Sequence, residues 1–357
     1  FPEEEKLACD VPDTIRCYAL TAHQEVRRIA RHHDIDLVSA PIWDLEGLAC
    51  LADASLRTVV SLHTTFKLML ESHPEWNCDQ NHRLNYIDKM IRAETWVLAN
   101  APWVMANSRG VVNAMRDAYG VELAAQRLGL VPHGIEDLSA KYAASRRDDV
   151  VRVLFVGRLE KRKGIDLLLQ CIPGLCREFP QLQFVIAGED DLQNEHGRTY
   201  REEFSSHSGT LLGERRVLFT GRVSDDELFR HYADCDIFAA PSLFESFGLI
   251  FIEAMMFGKP VIGSRAGGMA EVICDGANGF LVDPGNWESL YEALRKLVSD
   301  HELRRRFGGH SRRIFEQYFT CAKMVDQALA FYERILFRHG DREDTVKLSA
   351  DSVAVEV

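Results

Sequence analysis

The 357-residue sequence predicts an α/β protein of two facing Rossmann-like, doubly wound domains. Three observations predict it. Short apolar stretches alternate with stretches of helical period along most of the chain, the pattern of parallel strands joined by helical crossovers. A polar, charged segment at 138–150 interrupts the alternation, and a fresh strand–helix series starts at 152. The chemically promising residues fall just after predicted strands, at the end where open parallel sheets bind ligands. Two facing domains imply a cleft between them.

The elements follow in chain order. Residues 1–15 are charged and poorly patterned and read as a loop; 17–33 reads as a helix. Strands are predicted at 35–40, 58–62, 103–107 and 128–131, with helices at 86–100 and 110–119. In the second series, strand 152–156 leads through Gly157–Gly164 to a helix at 165–179. Strand 183–187 follows, then a polar surface excursion over 189–216 with a helix at 199–204. Strand 217–220 leads to a helix at 225–235, capped by Ser224. Strands 237–240, 261–264 and 279–282 and helices 249–257, 287–298, 303–317 and 322–337 complete the pattern, and the tail from Arg338 reads as disordered.

Composition narrows the function classes. A net charge of −12 argues against a general nucleic-acid binder, whose affinity comes largely from neutralising phosphates. The local basic clusters at 27–28 and 304–306 read as solvated helix faces, with peripheral docking on an anionic membrane as the alternative. Nine scattered cysteines include no C-x-x-C pair, which is reduced, cytoplasmic usage. No apolar run reaches 18 residues and no signal peptide opens the chain. The Asp-x-Asp pairs at 34–36 and 234–236 precede strands, so they read as turn and cap residues and no metal is expected. No Gly-x-Gly-x-x-Gly fingerprint follows a first strand, which argues against a dehydrogenase.

The stretch 237–260 organises the rest. A strand apolar on both faces stops at Pro241, and a loop carries Glu245 and Gly248 into a helix that is apolar nearly all round. That buried helix nevertheless carries Glu253, and a buried carboxylate needs a partner. Its N-terminus offers N–H groups to an anion, while two carboxylates eight residues apart suit hydroxyl groups. A nucleotide-sugar has both. The bland alternative pairs Glu253 with a core Arg or Lys.

The run Pro241-Ser-Leu-Phe-Glu-Ser-Phe-Gly-Leu249, with Glu253-Ala-Met and Gly258-Lys-Pro-Val-Ile, resembles the donor-site signature of retaining GT-B glycosyltransferases, the "group 1" family. Gly157-Arg158 and Lys163-Gly164 resemble the family's Gly-Arg…Lys-Gly element. The resemblance implies that Arg158 and Lys163 hold the donor diphosphate, that Glu245 lies near hydroxyls of the transferred sugar and that Glu253 holds the ribose. Backbone N–H groups of Phe247, Gly248 and Leu249 complete those contacts, and Arg222-Val223 lies beside the base. Val-Ser-Leu-His63-Thr matches the strand whose His positions the donor sugar. Gly267-Gly268 and Glu271 resemble the family's Gly-Gly-x-x-Glu, implying loop geometry and helix capping. His133 stands where the family has Asn in Pro-Asn-Gly. Lys161 and Arg162 are expected to face solvent.

The resemblance implies an acceptor-side domain at 1–148, a donor domain at 149–320 and a helix at 321–337 crossing back to the first. The first domain is expected to be incomplete. Nothing resembles the family's opening strand and glycine-rich loop, and Phe1 suggests truncation of a longer protein. A central gap or a substitute strand should result, with two unpaired edges. The expected reaction moves a hexosyl unit from a nucleoside-diphosphate sugar to a sugar, glycan or lipid-linked acceptor hydroxyl, with retention and without a cofactor. The alternatives are a sugar phosphorylase or nucleotide-sugar epimerase on the same fold, or a non-catalytic nucleotide-sugar-binding module.

Overall fold

The computed structural model describes residues 7–337 except 8, 71–72, 143, 145–148 and 195. The expected tail from 338 lies outside them. The described chain divides into two compact units, one running to Pro132 and resuming at Val325, the other His133–Met324.

The first unit holds four parallel strands, β1 (Val38–Pro41), β2 (Thr58–Leu62), β3 (Trp103–Ala106) and β4 (Leu128–Leu130), in the order β1-β2-β3-β4. Every step runs the same way, so among the described residues this sheet is wound in one direction only. The expected central gap flanked by two unpaired edges is therefore corrected. The four strands are contiguous, and β1 lies at one edge of the described sheet. The helix Asp13–Ala30 starts four residues earlier than expected because Val11, Ile15 and Ala19 are buried in the core. Ser108 caps the helix Arg109–Tyr119 by accepting the Val111 N–H at 3.0 Å. The last helix, Cys321–Phe337, contributes Phe331 and Ile335 to this unit. Phe331 lies so close that a Cβ on Gly129 would meet its ring at 2.4 Å.

The second unit holds β5 (Val151–Val156), β6 (Leu182–Ala187), β7 (Val217–Gly221), β8 (Ile237–Ala240), β9 (Val261–Ser264) and β10 (Gly279–Val282). All are parallel, in the order β10-β9-β8-β5-β6-β7. The chain leaves β5 toward β6 and β7, then returns to lay β8, β9 and β10 on the other side. Between β5 and β8 the direction reverses, and such a switch point opens a crevice at the carboxyl ends of the strands. Helices Ile165–Glu178, Tyr200–Gly213, Asp225–Asp234 and Leu249–Met256 make the crossovers. Thr199 and Ser224 start two of them with capping boxes. The first runs to Gly213 rather than 204, anchored by buried Tyr200 and Phe204.

Residues 133–142, assigned from the sequence to the first domain, pack on the second unit instead. Asp137 is ion-paired with Arg312, whose Nη1 also donates to the Met256 carbonyl at 2.6 Å. Tyr142 is buried, with its ring 5.4 Å from that of Phe229.

Candidate functional site

Three loops meet at the β5/β8 switch point. The first, Gly157–Gly164, leaves β5; the second, Pro241–Gly248, leaves β8; the third follows β9. They are tied by backbone: Leu243 donates to the Arg162 carbonyl at 2.8 Å, and Gly268 to that of Glu245 at 2.9 Å. Gly164 has φ 67°, and a Cβ there would lie 2.1 Å from the Pro241 oxygen. Only glycine allows that approach.

This geometry brings Lys163 and Glu245 together. Lys163 Nζ donates to Glu245 Oε1 at 2.6 Å, and Ser242 Oγ donates to the same oxygen at 2.9 Å. Both ion-pair members are largely buried and Ser242 is fully so. Arg158 lies on the same loop, nearly half exposed, 3.3 Å from Glu160. Glu160 also takes Arg162 Nη2 at 2.6 Å, and the Arg162 side chain is only 13% exposed. The expectation that Arg162 faces solvent is thus corrected, because its ion pair with Glu160 holds the side chain largely buried; Lys161 is exposed.

The helix Leu249–Met256 starts at Gly248, whose φ is 98°. Leu249 is 43% exposed at that helix start. Phe247 is buried, its ring edge-on to His133 at 5.2 Å and to Phe319 at 5.8 Å. The Phe247 side chain is thus an anchor for this end of the loop. In the second turn Glu253 Oε2 accepts the Tyr232 O–H at 2.7 Å. A neutral hydroxyl therefore stands where the sequence offered a core cation as the bland partner. Burial pushes the Glu253 carboxyl above its ordinary range, against the opposing pull of Tyr232. Arg222 is exposed at the end of β7 and pairs with Glu189 from the end of β6 at 2.9 Å. Val223 beside it packs partly against the core.

His63 stands in the first unit, directly after β2. Its Nε2 is 3.3 Å from Ser61 Oγ, and burial holds its pKa below the usual value. Burial therefore favours the neutral imidazole there. Sequence reasoning missed Tyr232, Ser242 and Glu160. Ser242 lies inside the recognised run, three residues before Glu245. Tyr232 carries no such signal, because its link to Glu253 depends on how two crossover helices pack.

Residues 140–313 match the profile of the family described as "Glycosyl transferases group 1", and residues 9–137 that of "Glycosyltransferase Family 4". An uncharacterised glycosyltransferase of Methanocaldococcus jannaschii is 32% identical over 51% of this chain and 45% of its own length. The D-inositol 3-phosphate glycosyltransferase of Corynebacterium glutamicum is 37% identical over 44% of this chain and 37% of its own. The match thus spans less than half the length of these curated relatives. Anabaena HepE, solved in complex with UDP and glucose, superposes with a TM-score of 0.67 at 24% identity, covering 89% of this chain and 80% of that one. The fold is that of the GT-B glycosyltransferases, and with both halves matched, the chain belongs to the group 1 glycosyltransferase family.

Proposed function

We propose that the chain transfers a hexosyl unit from a nucleoside-diphosphate sugar to an acceptor hydroxyl, with retention of configuration. The observation that carries this reading is the Lys163–Glu245 pair with Ser242 at the β5/β8 switch point. A diphosphate entering that crevice competes with Glu245 for the Lys163 ammonium, and a sugar hydroxyl then takes the place of Lys163 on Glu245. At the transition state the leaving diphosphate gains negative charge, which fixed cations in a dry site stabilise without reorganisation. In this reading Arg158 supplies a second cation, Glu253 accepts ribose hydroxyls, and peptides at 247–249 contact sugar and phosphate. His63 holds the donor sugar, and Arg222-Val223 flanks the base. The departing phosphate takes the acceptor's proton.

The reading is metal-independent and needs no cofactor. Its support is positional: both Asp-x-Asp pairs precede strands β1 and β8, away from the carboxyl ends, and Asp236 Oδ2 accepts the Arg152 N–H at 2.7 Å. Among the described residues no helix is long and apolar enough to cross a membrane, and reaction in the cytoplasm on a sugar, glycan or lipid-linked acceptor is part of the proposal. The experiment is a thermal-shift screen with UDP-, GDP- and ADP-sugars, followed by product analysis with and without acceptor. One donor class should stabilise the chain and turn over, with EDTA leaving turnover intact. Donor binding with neither hydrolysis nor transfer over hours would leave a binding module, and free epimerised donor would leave an epimerase.

A further inference from the structure

The first unit carries a group of rings that the donor reading does not use. The loop after β1 brings Trp43 onto Phe66, which follows β2, with centroids 5.0 Å apart and ring planes within 8°. Phe66 also meets Trp76 at 5.4 Å and Tyr86 at 6.0 Å, and His73 stacks on Trp76 at 4.5 Å. Phe66 is the buried centre; Trp43, His73, Trp76 and Tyr86 are partly buried, and Trp43, Trp76 and Tyr86 also pack against the core of this unit. Beside Trp43 stands Asp44, which lies within electrostatic reach of Tyr86. Asp44 and Leu45 have φ 54° and 56°, a left-handed conformation that L residues avoid. Two consecutive residues held there mark a loop whose shape the surrounding structure over-determines, a feature that clusters at ligand clamps.

The chemistry selects a ligand. An aromatic face carries negative charge density, which suits the polarised C–H bonds on one face of a pyranose ring. Trp43 is not fully buried, so part of its ring remains accessible to a ligand. An adjacent carboxylate accepts hydrogen bonds from sugar hydroxyls. A bare hydrocarbon chain would use the rings and would leave a partly desolvated Asp44 without a donor. We propose that Trp43, Asp44 and Trp76 form a pyranoside-binding subsite, with Trp43 as the stacking face, Asp44 as the hydroxyl acceptor and Trp76 holding the platform. Its occupant in turnover is the sugar ring of the acceptor, a role that rests on the transferase reading; the binding itself does not.

The binding test needs no turnover. The full chain, labelled with 5-fluorotryptophan, is titrated with methyl α-mannopyranoside, methyl α-glucopyranoside and the corresponding disaccharides. Fluorine spectra resolve the five tryptophans, assigned by single substitution. Saturable shifts of the Trp43 and Trp76 signals are expected with at least one pyranoside. Trp43→Ala and Asp44→Asn should each weaken that binding about tenfold, the scale of one lost stacking or charge-assisted contact. Trp43→Phe should restore most of it, which separates a binding defect from a folding defect. The thermal shift given by the donor should be unchanged in all three variants. No saturable shift with any pyranoside would overturn the subsite, as would binding indifferent to Trp43 and Asp44. Tighter binding of an n-decyl chain than of any sugar would overturn it in favour of a lipid face. If pyranosides bind as expected but no donor is ever transferred, the transferase reading falls and the subsite stands.

Discussion

Glu94 offers the most quantitative test of the first unit. It is fully buried in the helix Asp88–Asn100 and accepts the Phe66 N–H at 2.8 Å and the Tyr119 O–H at 2.5 Å. Those bonds pin the backbone three residues beyond His63. They do not fully offset desolvation, and burial pushes the carboxyl from 4.5 up to about 7. A raised carboxyl pKa means that the folded state holds the proton more tightly than the unfolded chain. The stabilisation is complete below pH 4.5 and is lost as the pH rises through about 7. A shift of about 2.5 pH units at about 1.36 kcal/mol each is about 3 kcal/mol in all, most of it lost between pH 5 and 8. Glu94→Gln keeps an acceptor for Phe66, lets its amide donate to the Tyr119 oxygen, and does not ionise. Calorimetric scans at pH 5, 6, 7 and 8 should show wild type falling relative to Glu94→Gln by roughly 5–10 °C across that range. Parallel pH profiles for the two proteins would refute the reasoning, because the slope must then come from other groups.

The remaining predictions concern the second unit. Lys163→Ala should lower turnover by roughly 10²–10³, the scale of one lost transition-state charge stabiliser. Lys161→Ala on the same loop should change it far less, and equal rates for the two would count against the diphosphate assignment. Glu253→Gln should weaken donor binding by about 1–2 kcal/mol, the difference between a charged and a neutral acceptor. Tyr232→Phe should weaken it in the same direction and raise the Glu253 pKa further, since the O–H that opposes desolvation is gone. Calorimetric titration with the donor across pH checks both, and an unchanged dissociation constant would sink the ribose role. Gly164→Ala should destabilise the second unit by about 2 kcal/mol or more, because the positive φ and the Pro241 carbonyl both exclude a Cβ. Wild-type urea stability in that variant would contradict the close approach.

The two halves differed in how much of their architecture could be read from sequence. In the second unit nearly every predicted strand and helix is present within a few residues, because buried strands and apolar crossover helices carry strong, local periodicity. The first unit was harder for a physical reason. Val11 and Ile15 sit among charged residues, so their burial becomes visible only once the helix they lead into has somewhere to pack. The short helices Leu48–Ala52 and Phe66–Met69 are too brief to show a period. The one-directional winding of this sheet is not legible in the sequence, because strand order is a property of crossovers and a strand pattern along the chain is compatible with either direction.

The candidate site divides along the same line. Glu245, Glu253, Arg158 and Lys163 could be named because their residue types and spacings survive in a linear motif. Their partners could not. That Lys163 meets Glu245 requires Gly164 to bring its loop against Pro241, a contact between loops that follow adjacent strands and lie 77 residues apart in the chain (241 − 164). That Glu253 meets Tyr232 rather than a cation depends on the packing of two crossover helices in one core. The difference matters for function. A Glu253 paired with a buried cation would be held ionised and occupied; paired with a hydroxyl, it keeps acceptor capacity for a ligand. Its charge is then easier to titrate, and under the proposed ribose role donor binding should show a pH dependence that a salt-bridged glutamate would not.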